Sequence, residues 1–130
     1  NSSSIEKQFD EFLKSLKIEY VFQYKSNLYP YSCDFYIPFL DLYIEIQGNW
    51  THGCHPFDSS NQEDLDKLSI WKEKSKTSDY YKQAIYTWTN LDVKKRNIAK
   101  ENELNYLEIF SDELDKCISI FEHYLSNISE

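Results

Sequence analysis

The tightest constraint on this chain lies between Tyr31 and Asp58, in YSCDFYIPFLDLYIEIQGNWTHGCHPFD. Two runs of alternating side chains flank Pro38-Phe39-Leu40. The stretch therefore reads as two strands, about 32–37 and about 41–47, joined by a tight turn. Successive side chains of a strand point to opposite faces. Asp34 then shares a face with Ser32 and Tyr36, and Glu45 shares one with Tyr43 and Gln47. Cys33, Phe35, Ile37, Leu42, Ile44 and Ile46 point the other way. In an antiparallel hairpin the two carboxylates meet over one face. Adjacent acids repel unless a cation lies between them, and hard oxygen ligands suit Mg²⁺ or Mn²⁺. The loop that follows carries His52 and His55 and the chain's only glycines, Gly48 and Gly53. Glycine is expected where backbone bends sharply or approaches a ligand closely.

Around this stretch the periodicity alternates between 3.6 and 2 residues. Ser3 and Glu6 have capping-box spacing, and Ile5, Phe9, Phe12, Leu13 and Leu16 place an amphipathic helix over about 3–17. EYVFQYK (19–25) reads as a strand, and SNLYP is its connector. A helix is expected from Glu63 to about Lys74, a strand at AIYTWT (84–89), and a helix capped by Asn90-Leu91-Asp92 that runs to about Asn102. LNYLEIF (104–110) is the last strand, and Ser111-Asp112-Glu113 opens a final amphipathic helix. Three strands followed by α/β crossovers make a mixed sheet flanked by helices.

A chain of 130 residues fits one domain with a real core, and 17% aromatic content marks a folded protein. A start at Asn1 is what a fragment or trimmed chain would show. No apolar run approaches the roughly 20 residues of a membrane span, so no membrane partner is expected. Cys33, Cys54 and Cys117 are odd in number and far apart, which fits reduced thiols in a cytoplasmic protein. Acids outnumber bases 22 to 14, giving a net charge of −8. That balance disfavours a stand-alone DNA binder, because lysine and arginine supply most affinity for phosphate. Either the chain avoids nucleic acid, or its carboxylates hold metal while a separate basic domain supplies affinity.

The placement of Asp34 before Glu45-Ile46-Gln47 resembles the PD-(D/E)xK nuclease core, with glutamine in the lysine position. A closer likeness is to the very-short-patch-repair branch, including phage intron homing endonucleases with a Glu-Asp-x-His-Asp motif. The resemblance places the motif's glutamate on Glu6 in IEKQFDEFLKSLKIEYVFQ and its first aspartate on Asp34 in CDFYIP. It places the histidine on His52 in GNWTH, with His55 as alternative. The final aspartate falls on Asp64 in NQEDLDKL, with Asp58 and Asp66 as alternatives. The "x" position, a carbonyl ligand in the repair enzymes, falls on Glu45 or Ile46, and Glu45 could instead bind through its carboxylate. HGCHPFD, AIYTWT, LDVKKR and NELNYLEIF also look like phage-type members, so the likeness spans roughly residues 4–110.

The resemblance implies a restriction-endonuclease-like fold and a Mg²⁺-dependent DNA endonuclease, with Mn²⁺ as a substitute. His52, oriented by Asp64, would take the proton of the attacking water, and Gln47 would position water or phosphate. The partner would be double-stranded DNA, gripped through a separate DNA-binding domain, with a homodimer in view and the cytoplasm of a bacterial or phage-infected cell as the setting. A nicking or repair enzyme of the same branch is the nearest alternative, and a silent interaction domain on the same fold comes next. Two features depart from the branch. The ligands of its structural zinc site are missing, and only Trp50, followed by Thr51, stands where the repair enzymes wedge aromatic rings. Lys94-Lys95-Arg96 is either a phosphate contact or a solvated helix face.

Overall fold

Alternation over the central stretch produces the expected hairpin. In a computed structural model, which describes residues 4–128, β2 (Cys33–Ile37) and β3 (Leu42–Ile46) pair antiparallel with Phe35 opposite Ile44. Pro38–Leu40 forms a single 3₁₀ turn between them, closed by Asp41 in the left-handed region at φ 48°. β1 (Val21–Tyr24) adds to the outer edge of β2 and β4 (Asn105–Ile109) runs parallel to β3, giving a four-stranded mixed sheet in the order β1-β2-β3-β4. The chain is thus α/β, an open mixed sheet with flanking helices.

One face of the sheet is apolar because the odd positions of β2 and even positions of β3 are Phe35, Ile37, Leu42, Ile44 and Ile46. These pack with Ile109 against Ile5, Phe9 and Leu13 of α1 (Ser4–Ser15) and Cys117 and Phe121 of α5 (Leu114–Ile128). Ser3, assigned to the capping box, lies outside the described residues. The opposite face carries Tyr24, Tyr29, Tyr43 and Tyr106 under Ile98 and Ala99 of α4 (Asp92–Glu101). Cys33, at the first residue of β2, packs with these tyrosines rather than with Phe35.

The expected strand at 84–89 is helical instead. Asp79–Tyr86 is α3, and a π turn at Thr87–Leu91 runs on into α4. Short apolar runs cannot be assigned by alternation alone. Here Tyr81, Ala84, Ile85 and Trp88 fall on one helical face and pack on Trp71 of α2 (Gln62–Ser75) and on Phe57. The side-chain hydroxyl of Thr89 donates to the carbonyl of Ile85 one turn back. Tertiary burial therefore overrides β propensity. In the π turn the N–H of Asp92 donates to Thr87 O, five residues back, which adds a residue to the turn where α4 begins.

Both glycines meet the protein's own atoms. A Cβ on Gly48 would collide with the Ser111 carbonyl, and one on Gly53, at φ 75°, would collide with the Trp88 indole.

Candidate active site

Continuing the β2–β3 register by one residue sets Asp34 opposite Glu45, as the alternation requires. The two strands exchange side-chain bonds at this point. Asp34 N–H donates to Glu45 Oε1 at 2.9 Å, and Ile46 N–H donates to Asp34 Oδ2 at 2.7 Å. Glu45 is 2% exposed, and its second oxygen accepts from the Tyr29 hydroxyl at 2.5 Å with Lys95 Nζ at 3.4 Å. Burial and then the Glu45 charge hold the Tyr29 phenol protonated, so it stays a donor. Each oxygen of Glu45 thus has a protein donor, and the carboxylate braces Asp34, Tyr29 and Lys95.

Asp34 keeps company with a third acid. Glu6, in the first turn of α1, hydrogen-bonds to its carboxyl. Burial, then the charge of Glu45, then Glu6 push the Asp34 carboxyl far above the ordinary carboxylate range. Burial opposes the charge on Lys95, but Glu45, Asp92 and Asp34 outweigh it and hold its ammonium above the ordinary lysine value. Lys95 therefore ties Asp34, Glu45 and Asp92 into one electrostatic group on the sheet face covered by α4.

Gln47 is buried but pointed elsewhere. Its Nε2 donates to Glu108 Oε2 at 3.1 Å, and Arg96 grips both oxygens of Glu108 at 2.6 and 2.7 Å. The amide expected to position water or phosphate is thus part of a Gln47–Glu108–Arg96 brace.

Of the two histidines that the sequence left open, Asp64 meets the alternative, His55, and not His52. His52, at the end of the 3₁₀ turn Trp50–His52, places Nδ1 2.5 Å from Oδ2 of Asp92. Asp64 instead takes His55 Nε2 at 2.6 Å and the Asp58 N–H at 2.9 Å. Asp64 lies in the first turn of α2 and meets His55 and Asp58 of the loop before it. His55 is half-exposed, and its carbonyl accepts from Trp88 Nε1 at 2.9 Å, so the His55–Asp64 pair pins the loop to α2 and Trp88. The carboxylates of Asp66 and Asp58 take their hydrogen bonds elsewhere: Asp66 accepts from Gln62, and Asp58 accepts from Ser60, with His55 near enough to act on its charge.

Asp92 escaped the sequence reading because its position, opening α4 after Asn90-Leu91, carries an ordinary capping signal. It is 1% exposed, and among the described residues its Oδ1 is the buried side-chain oxygen or nitrogen without a hydrogen-bond partner. A carboxylate on Nδ1 fixes the tautomer, holding the proton there and leaving Nε2 as the acceptor.

No three His, Cys, Asp or Glu side chains converge as a metal cage among the described residues. Mg²⁺ does not ask for one, since it keeps several waters and takes one or two carboxylates plus substrate phosphate. Burial is the first cause that raises the Asp34 carboxyl, and the neighbouring acids Glu45 and Glu6 add to it; a cation at this carboxyl would offset the part due to those acids. The N–H and C=O of a strand residue project to the same side, so Ile46 turns its carbonyl toward β2 as it does its N–H.

Beyond Gln47, a cavity of about 550 Å³ opens between the start of α1 and the loops after β3 and β4, lined by Ile5, Asn49, Trp50 and Phe110. Trp50 stands at its rim, 39% exposed, with its ring on Trp71, Tyr80 and Tyr81. No helix among the described residues is long and apolar enough to cross a membrane. Comparison of the chain with protein-family models, with curated proteins and with solved structures finds no match.

Proposed function

We propose that the chain is the catalytic domain of a Mg²⁺-dependent DNA endonuclease with a restriction-endonuclease-like core of the very-short-patch-repair branch. The observation that carries this reading is the His52–Asp92 pair, joined through Lys95 to the Asp34 carboxylate group. With Asp92 in place of Asp64, the Glu-Asp-x-His-Asp motif falls on Glu6, Asp34, Ile46, His52 and Asp92. Asp34, Glu6 and the Ile46 carbonyl would hold the metal. Bound there, Mg²⁺ supplies Lewis-acid polarisation of the phosphate and a water of lowered pKa.

His52 Nε2 accepts the proton of the attacking water while Asp92 steadies the imidazolium that forms. The water oxygen bonds to phosphorus, the bond from phosphorus to the leaving sugar oxygen breaks, and that oxygen takes a proton from solvent. Glu45 and Tyr29 orient Asp34 and Lys95. The cavity beside Gln47 and the ring of Trp50 offer room and a stacking surface for nucleotides next to the cleaved bond. The net charge of −8 assigns most DNA affinity to a separate basic module, as in a phage-type homing endonuclease.

Supercoiled plasmid, low salt, and Mg²⁺, Mn²⁺ or EDTA test the reading, with Asp34→Asn and His52→Ala alongside. Metal-dependent nicking that both substitutions abolish is the expected result. Silence of the chain, and of the chain fused to a sequence-specific DNA-binding module, would overturn it in favour of an interaction domain.

A further inference from the structure

Lys95 lies one helical turn beyond Asp92 on α4, with its side chain only 17% exposed. Its Nζ is 3.4 Å from Glu45 Oε2 and 5.9 Å from the centre of the Tyr31 ring. Glu45 does not depend on it for hydrogen bonds, since Asp34 N–H and the Tyr29 hydroxyl reach the two carboxylate oxygens at 2.9 and 2.5 Å. An ammonium has three donors, and burying one is costly in lost hydration unless its charge is used. The neighbouring cation cannot substitute, because Arg96 is clamped on Glu108, and Gln47 is neutral. Among the described residues, Lys95 is the one lysine or arginine ion-paired to any of Asp34, Glu45 and Asp92.

We propose that Lys95 is the cation that grips the phosphate being cleaved, donating from Nζ to a non-bridging oxygen of the scissile phosphodiester while Glu45 holds it in place. The assignment rests on the nuclease reading above. Lys95 transfers no proton. The water proton goes to His52 Nε2, the new bond is water oxygen to phosphorus, and the ammonium offsets charge that builds on the phosphoryl oxygens. Because the cation comes from α4, the helix that also carries Asp92, one element sets both the base and the phosphate grip.

The test is single-turnover cleavage of supercoiled plasmid with Mg²⁺, with thermal melting of every variant. Lys95→Met should slow cleavage by roughly 10²–10³-fold, the scale of losing one preorganised donor. Lys95→Arg should recover part of that, because charge survives while shape does not. Lys95→Met also strands the Glu45 charge and lowers the melting temperature, which Glu45→Gln in the same chain should restore without restoring cleavage. Recovery of cleavage together with melting would overturn the proposal, since Lys95 would then serve Glu45 alone. So would a Lys95→Met rate within about threefold of wild type. Wild-type cleavage with an unimpaired Lys95→Met sinks this inference only; absent cleavage by both the wild-type chain and its fusion to a DNA-binding module sinks the nuclease reading and this one with it.

Discussion

His52 Nδ1 stands 2.5 Å from Asp92 Oδ2, and the other oxygen of that carboxylate is buried without a hydrogen-bond partner among the described residues. Asp92→Asn replaces an acceptor by an amide and invites the wrong imidazole tautomer. Its cleavage rate should fall by up to about 10⁴-fold with little change in melting, the size of the corresponding change in a serine protease triad. Asp64→Ala removes the partner of His55 and of the Asp58 N–H. It should cost about 1–2 kcal/mol of stability and leave cleavage within roughly fivefold. Single-turnover rates and denaturant melts of the two variants separate the pairs. The opposite pattern would return Asp64 to the catalytic position and make His52–Asp92 the fastening.

Asp34 predicts how stability responds to pH and metal. In the unfolded chain its carboxyl ionises near about pH 4, whereas in the fold burial, Glu45 and Glu6 push it well above. The folded state then binds more protons than the unfolded state, so stability is lost as pH rises from about 4 toward the folded value. In EDTA, the midpoint of urea unfolding should fall from mildly acidic toward alkaline pH. Asp34→Asn should flatten that slope. Mg²⁺ should restore the midpoint at neutral and alkaline pH, by about 2.7 kcal/mol at a hundredfold excess over Kd, and should do little for Asp34→Asn. An equal Mg²⁺ shift in both proteins would place the ion elsewhere.

The hairpin was legible because alternation is local: Asp34 and Glu45 face each other for the same reason that Phe35 and Ile44 do. The His52–Asp92 pair was not, since its members lie 40 residues apart and Asp92 looks like any residue opening a helix. Asp64 attracted the assignment by sitting in the first turn of the nearer helix, nine residues from His55, its true partner. AIYTWT misled because threonine, isoleucine and aromatics suit a strand, while Tyr81, Ala84 and Trp88 bury the same segment as a helix against Trp71. Gln47 illustrates a third gap. Its face follows from its position in β3, but its engagement by Glu108 depends on β4, whose parallel register no local pattern encodes.

The DNA contact proposed for Trp50 can be tested on its own. Its ring is 39% exposed and packs perpendicular to Trp71, with ring centres 5.3 Å apart, and against Tyr80 and Tyr81. Stacking of a base on such a ring contributes about 1–3 kcal/mol. Trp50→Ala should therefore weaken binding of a fluorescent duplex by roughly 5–150-fold in anisotropy titrations, with Trp50→Phe intermediate. The rate at saturating DNA should change far less. Unaltered affinity in Trp50→Ala would remove the ring from the interface.

Gly53 ties the loop to the rest of the site. It sits at φ 75°, where a side chain is strained, and against the indole of Trp88, which itself donates to the His55 carbonyl at 2.9 Å. Lys67 Nζ donates to the Gly53 carbonyl at 3.1 Å, so the backbone cannot retreat without losing a bond. Gly53→Ala should then destabilise by about 1–3 kcal/mol, the usual cost of overpacking. Because His52 is the preceding residue, cleavage should fall as well, which distinguishes this change from Asp64→Ala. If collision with Trp88 is the cause, Trp88→Leu should cost less in the alanine background than in wild type. Additive losses in that cycle would instead assign the whole effect to backbone strain at residue 53.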